Sequence, residues 1–362
     1  MKNRILYLAP GSEIGGTERM IILLAREIER RGYRIHVVTM QEPKAFTAAL
    51  KVAGLKTTPL NLKKKPFLGL LRFALIIVRE RPGLIHSFLF AGNMLGKLAA
   101  AISGLPLICS QRSTDDWKKC LHWNMERWTS HLCKIIISNS HAGKRALVEK
   151  GRIQPEKITV IPNGIDPEIV RNSVSSGRNM ENTFTGPIIG SIGNLRTAKG
   201  FEYLLDAAKQ VVKKVPSARF VILGEGSLRS ALEEKIARLG LQNNVSLPGF
   251  ISPVEPYLAR FNMLVIPSLW EGFPVVALEA MCLAKPIVAT RAGDLPEIIR
   301  DGISGILVDP GDANGLAHGI LTLLADEKRA QQMGQEGYKH VLENYSLTKM
   351  VDAYEAVYRC FL

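Results

Sequence analysis

Two glutamates stand eight residues apart in the run IPSLWEGFPVVALEAM, with Glu271 in the loop after an apolar strand and Glu279 inside the helix which that loop opens. A carboxylate accepts two hydrogen bonds side by side, which suits the vicinal hydroxyls of a sugar or a ribose. Between the two, Gly272 and Pro274 prepare a helix N-terminus, so the N–H groups of Phe273, Val275 and Val276 point where a diphosphate would sit. Taken alone, such a pair is also what a capped helix with two surface carboxylates looks like. A second run in the same half, GSIGNLRTAKGFEYLLDAA, places Gly193 after a strand and then Arg196 and Lys199 in the turn before a helix, positioned to meet anionic oxygens. The loop after the first strand, GSEIGGTERM, puts Gly15 and Gly16 ahead of another helix N-terminus, where backbone N–H groups can approach a ligand closely; a plain tight turn reads the same way. It lacks the G-x-G-x-x-G spacing of a dinucleotide site, which disfavours NAD.

The elements that must position these groups alternate. Short β-branched apolar runs and helical-period stretches follow one another from end to end, which predicts an α/β fold of βαβ units with parallel sheets. Strands are expected at Arg4 to Ala9, Arg34 to Met40, Leu84 to Phe88, Pro106 to Ser110 and Ile135 to Asn139. In the second half they are expected at PIIGSIGNL, RFVILGEG, NVSLPGF, MLVIPSLW, PIVATRAG and GILVDPGD, with helices beginning near Gly200, Leu228, Val254, Pro274 and Pro296. The expected division is a first domain over 1–165, a linker over 166–186 rich in Asn, Ser and Gly, a second domain over 187–346, and a last helix over 347–362 that could return to the first domain. In open α/β sheets ligands bind beyond the carboxyl ends of the strands, so two such domains suggest one cleft with two substrates.

The chain is 362 residues long, 46% hydrophobic and 22% charged, the profile of a globular protein of two domains rather than a disordered one. Its net charge of +14 is carried by one half: residues 1–170 hold 27 Lys and Arg against 13 Asp and Glu, and residues 171–362 hold 20 of each. Such a field attracts anionic partners, or serves solubility alone. The five cysteines are widely spaced, with no C-x-x-C pair, and read as reduced thiols of a cytoplasmic protein. MKNRILYLAPGS enters a first strand and is not built like a signal peptide. No apolar run reaches the length of a spanning helix. The closest, Pro66 to Val78, is broken by Arg72 and preceded by Lys63, Lys64 and Lys65. It reads either as a helix lying on an anionic bilayer surface or as a crossover helix packed on its own sheet.

Taken with GGTE, ISNSHAGKRALVEKG, KITVIPNGID, FVILGEG and PIVATRAGDLPEIIRDGISGILVDPGD, these runs resemble glycosyltransferase family 4, also called glycosyl transferases group 1, over nearly the whole chain. The resemblance implies the GT-B fold, two Rossmann-like domains facing across a cleft, and retaining transfer from a nucleotide diphosphate sugar, UDP before GDP, to a glycan or lipid-linked acceptor. The nucleotide sugar is a co-substrate, and neither a cofactor nor a nucleic-acid partner is implied. By the resemblance, Glu271 contacts donor-sugar hydroxyls, Glu279 holds the ribose, Lys199 and the backbone of Val275 and Val276 bind the diphosphate, and Leu247 to Phe250, with Gly249, flank the base. The family often has Arg where Asn194 stands, and Arg196 is taken as its substitute. It often has a second His two residues after His86, near the donor phosphate, where this chain has Phe88; His86 is therefore either catalytic or a structural histidine at a strand end. Leaving-group charge would be met by Lys199, Arg196 and helix N-termini, with no protein nucleophile and no metal. Asp115-Asp116 is not a metal-binding D-x-D and reads as a loop or capping pair.

On the acceptor side, Ser113 to Lys134 interleaves Trp117, Trp123 and Trp128 with basic side chains. Arg112, Trp117, Lys118, Lys119 and Trp123 are candidates for acceptor or anionic-membrane contact, against a helix whose tryptophans are core. The expected pathway is cell-surface polysaccharide or lipopolysaccharide synthesis at the inner membrane face. A nucleotide-sugar epimerase, a disaccharide synthase of the same fold and a non-catalytic binder of anionic ligands stay open as alternatives.

Overall fold

A computed structural model describes residues 3–11, 15–42, 44–115, 117–176 and 186–362. The chain divides into two compact units, Met1–Asn163 with Thr348–Leu362, and Gly164–Leu347.

The first unit runs β1 (Arg4–Ala9), α1 (Gly16–Arg30), β2 (Arg34–Thr39), α2 (Lys44–Val52), β3 (Lys56–Pro59), α3 (Pro66–Glu80), β4 (Leu84–Phe88), α4 (Leu89–Ser103), β5 (Leu107–Gln111), α5 (Cys120–Thr129), β6 (Ile135–Ser138), α6 (His141–Glu149) and β7 (Ile158–Val160). Its strands form a parallel sheet in the order β3-β2-β1-β4-β5-β6-β7. Being covered on both faces, β1 reads RILYLA without alternation, and Ile5 to Ala9 are all buried. On one face a core joins Leu6, Leu8 and Ile85 to Phe73 of α3, Leu95 and Ala99 of α4, Trp123 of α5 and Leu147 of α6. β3 and β7 were not expected from the sequence. KTTP is a half-exposed edge strand, and ITV is too short to show a pattern.

The second unit runs α7 (Pro167–Ser176), β8 (Ile188–Ile192), α8 (Phe201–Lys214), β9 (Arg219–Leu223), α9 (Arg229–Leu239), β10 (Val245–Gly249), α10 (Glu255–Arg260), β11 (Met263–Ile266), α11 (Val275–Cys282), β12 (Ile287–Thr290), α12 (Leu295–Ile298), β13 (Ile306–Val308), α13 (Ala313–Ala325) and α14 (Glu327–Asn344). Its parallel sheet has the order β10-β9-β8-β11-β12-β13, which reverses between β8 and β11. In both units the order is that of a Rossmann-like sheet.

The linker expected over 166–186 needs correction. Residues 167–176 form α7, which packs on α10 and α11 and buries Val170 in their core, while residues 177–185 lie outside the described residues. The last helix, α15 (Leu347–Arg359), belongs to the first unit from Thr348 on. There Tyr358 bonds Tyr7 Oη at 2.8 Å, and Glu355 and Asp352 pair with Arg31. α3 packs on its sheet through Gly69 and Phe73 and turns most of its apolar residues outward. The five cysteines are free thiols, with Cys109, Cys133 and Cys282 buried. Among the described residues no helix is long and apolar enough to cross a membrane.

Candidate active site

The loops that follow β8 and β11 meet at the point where the strand order of the second unit reverses, the place where open α/β sheets bind their ligands. After β8 the chain turns through one 3-10 turn, Thr197–Lys199, and enters α8 through Gly200, whose φ of +63° is the left-handed region. Gly200 is required twice over, because a Cβ there would strike the Pro267 carbonyl oxygen. The contact is sealed by Leu269 N–H donating to the Ala198 carbonyl at 2.8 Å.

Across this seam Lys199 Nζ reaches Glu271 Oε1 as an ion pair. The same carboxylate oxygen accepts from Ser268 Oγ at 2.9 Å, and Thr290 Oγ1, at the end of β12, donates to the Ser268 carbonyl at 2.5 Å. The side chains are 26% exposed for Lys199 and 12% for Glu271, so a solute can reach both while water screens their attraction less than on an open surface. Lys199 lies over Gly193, where an added Cβ would come within 3.3 Å of its Cε.

Behind Glu271, Pro274 caps α11, and the N–H groups of Val275 and Val276 open its first turn, where a helix has no acceptors of its own. α11 is held by burial of Ala277, Leu278, Ala280, Met281 and Cys282, which fixes where its N-terminus points. The Phe273 ring turns into the core against Tyr345 at 5.8 Å, so Phe273 can serve the site only through its backbone. Asp294 N–H donates to the Gly272 carbonyl at 3.2 Å and anchors the loop from the far side. Glu279 is half-buried on α11. Burial and then the Glu279 charge push the Cys282 thiol up to about 12. Asn194 and Arg196 are exposed in the turn after β8. At the end of β10, Gly249 sits at φ +92° and the Phe250 ring is exposed, with Arg229 steadying the strand through the Leu247 carbonyl at 2.9 Å.

The candidates in the first unit fare differently. Gly15 caps α1, and its N–H donates to Glu18 Oε2 at 3.1 Å, so a carboxylate already answers that helix end; a Cβ at Gly16 would meet nothing within 4 Å. His86 is wholly buried. Its Nδ1 shares a 2.7 Å hydrogen bond with Tyr358 Oη and its Nε2 another with Ser110 Oγ, and burial, then the charge of Arg112, hold the imidazole well below its usual range. The catalytic reading of His86 is therefore corrected: both nitrogens are spent inside the first unit, and the ring is a neutral core group.

Lys118 and Trp123 also need correction. Lys118 is buried between Asp115 Oδ2 at 2.6 Å and Glu126 Oε1 at 3.2 Å, over the Phe90 and Trp123 rings, and Trp123 is in the core, so neither can touch an acceptor or a membrane. Arg112 is buried as well, donating to Asn163 Oδ1 at 2.6 Å and Tyr354 Oη at 3.2 Å. Trp117 and Lys119 are exposed. Asp115 lies in the loop between β5 and α5, as expected, and is the buried partner of Lys118 and Gln111; Asp116 lies outside the described residues.

The sequence reading missed Ser268, which donates to the Glu271 carboxylate, and Thr290, which holds the Ser268 carbonyl. The S-x-x-E spacing of Ser268 and Glu271 was a signal for the first, being that of a short-range side-chain pair. Thr290 carried none.

Solved structures and relatives match this architecture. The Anabaena protein HepE, solved in complex with UDP, superposes with a TM-score of 0.87 over 99% of each chain at 23% identity, which shows the GT-B fold. Residues 179–340 match the family Glycosyl transferases group 1, and residues 14–169 match Glycosyltransferase Family 4. The uncharacterized glycosyltransferase MJ1178 of Methanocaldococcus jannaschii is 32% identical over 290 residues, 78% of this chain and 77% of that one. A UDP-Gal:alpha-D-GlcNAc-diphosphoundecaprenol alpha-1,3-galactosyltransferase of Escherichia coli is 23% identical over 78% of this chain and 76% of its own. The chain belongs to the family 4, group 1 glycosyltransferases of GT-B fold.

Proposed function

We propose that this transferase takes its sugar from a nucleotide diphosphate sugar, a UDP-sugar before a GDP-sugar, and passes it with retention to a glycan or lipid-linked acceptor in cell-surface polysaccharide or lipopolysaccharide synthesis on the cytoplasmic side of a membrane. The observation that carries the donor half is the Lys199–Glu271 pair set at the N-terminus of α11, at the strand-order reversal of the second unit. Cationic and amide donors for a diphosphate and a carboxylate for hydroxyls converge there, and the exposed Arg196 adds a second cation. HepE, of the same fold, was solved with UDP and with UDP-glucose, which supports the choice of base. The Escherichia coli relative, whose acceptor is a diphosphoundecaprenol-linked sugar, supports a lipid-linked acceptor.

In this reading the roles divide by charge. Lys199, Arg196 and the amides of Val275 and Val276 stabilise the negative charge that grows on the departing diphosphate. Glu271 orients the sugar through its hydroxyls, Glu279 holds the ribose and Phe250 flanks the base. The acceptor attacks from the face the diphosphate leaves, and the diphosphate helps remove its proton, so no protein nucleophile or divalent metal takes part. The test is thermal unfolding with UDP-, GDP-, ADP- and dTDP-sugars in the absence of added metal, since a ligand at about 100 times its Kd stabilises by about 2.7 kcal/mol. One donor raising Tm, with the rise abolished in Glu279→Ala, is the expected result. No response to any donor would overturn the proposal.

A further inference from the structure

The helices α3, α4, α5 and α6 share one core beneath them and therefore cover one face of the seven-stranded sheet; no residue of α1 or α2 enters that core. A helix in such a layer ordinarily turns polar residues to solvent. Three of these four do the opposite. On α3, Gly69 and Phe73 face the sheet, while Phe67, Leu71 and Val78, four and seven residues apart on one stripe, are 79%, 51% and 68% exposed. On α4, Leu98 and Ile102 stand one turn apart and Ile102 is 80% exposed. On α5, Leu121, Met125 and Trp128 form a third outward stripe at spacings of four and three, with Trp117 exposed just before the helix. Outward apolar stripes on three helices of one layer exceed the scattered exposed leucines of an ordinary surface.

The charges around the patch are of one sign. Residues 61–134 hold 12 Lys and Arg against 4 Asp and Glu; Lys97, Arg112 and Lys118 are buried, which leaves nine cations outside the core. Of those acids, Asp115 and Glu126 are buried against lysines, Glu80 is tied to Lys56, and Asp116 lies outside the described residues. Lys63, Lys64 and Lys65 are all exposed immediately before α3, and Arg72 and Arg79 border its apolar stripe. Apolar side chains framed by unopposed cations match a bilayer interface that carries anionic headgroups: the hydrocarbon boundary takes the first, the phosphates the second.

We propose that the outward face of α3, α4 and α5 is a docking surface for an anionic lipid bilayer. The proposal stands on this surface alone and needs neither the donor nor the transfer reaction, so it can fail while the transferase reading holds, and the reverse.

The test uses the purified full-length chain and sucrose-loaded vesicles of phosphatidylcholine, with or without about one-third phosphatidylglycerol. The chain sediments with the phosphatidylglycerol vesicles, more at low salt than at high, and hardly with phosphatidylcholine alone. Lys63→Gln, Lys64→Gln and Lys65→Gln together lower the partition coefficient by about tenfold or more. Phe67→Ser, Leu71→Ser and Val78→Ser together remove the part of the binding that survives high salt. Arg26→Gln, Arg30→Gln and Lys51→Gln, the same charge change made on α1 and α2, leave binding as it was. A readout free of any folding defect uses the unmutated chain: brominated lipid quenches tryptophan fluorescence, because Trp117 and Trp128 face outward. The proposal is overturned if phosphatidylglycerol brings no binding, if the two α3 variants and the α1–α2 variant behave alike, or if the chain is a dimer that the α3 serine variant dissociates while still binding vesicles.

Discussion

At the scale of single residues, the candidate site centres on one ion pair. Lys199 and Glu271 are 72 positions apart and hold each other in place, with Ser268 orienting the carboxylate. In the proposed reading, Lys199→Ala removes the cation that would meet leaving-group charge and leaves Glu271 as an unbalanced negative charge at the proposed diphosphate position. Steady-state transfer assays should show kcat lowered by about a hundredfold or more, as for loss of one preorganised donor to a developing anion. Lys199→Arg should restore part of it, because the charge returns although the reach differs. Both motifs were legible in the sequence, since a glycine turn, a lysine and a helix-opening glutamate each have a local signature. Their direct pairing was not, because nothing local says which loop will face which.

At the scale of elements, burial separates neighbours that the sequence cannot tell apart. Lys118 is buried and Lys119 is exposed, although both sit in one run before α5. Lys118 from that run and Lys97 from α4 converge on Glu126 of α5, and Lys118 also meets Asp115. Two buried cations and two buried anions thus neutralise one another across the α4–α5 seam. Glu126→Ala leaves Lys97 with no anion and Lys118 with one, so it should cost about 3–5 kcal/mol in urea unfolding, as expected when one partner of a buried pair is deleted. Lys97→Met with Glu126→Gln, which removes one charge of each sign, should cost clearly less. The same ambiguity governs α3: its apolar residues run around most of the helix, so periodicity could not say which arc the sheet takes, and only the close seating of Gly69 against Leu60 fixes it.

At the scale of the whole chain, the last helix completes the first unit. Tyr358 is 272 positions from His86, and it bonds both His86 and Tyr7 inside a core of aromatic rings. Tyr358→Phe should cost about 1–3 kcal/mol, the usual result of leaving buried polar groups unmatched. His86 also links stability to pH. Its pKa is depressed in the folded chain, so below about pH 6.5 the unfolded chain takes up a proton that the folded one refuses. Stability should therefore be full above that pH and fall as pH drops towards the folded-state pKa, by up to about 1.4 kcal/mol per pH unit for this group. His36 and His340, also lowered chiefly by burial, act in the same direction. Urea midpoints at pH 7.5, 6.5 and 5.5 should show the slope, and His86→Gln should reduce it. The sequence by itself determined the α/β class, the alternation of strands and helices in both halves and the positions of the two loops that carry Lys199 and Glu271, because a doubly covered strand, a glycine turn and a helix start each leave a pattern within a few residues. The tertiary structure alone decided that His86 is a core group, that Lys118 and Trp123 are buried, that α7 takes part of the expected linker and that α3 turns its apolar stripe outward. Each of those depends on what a distant part of the chain places against the residue, and periodicity records only the direction in which a side chain points.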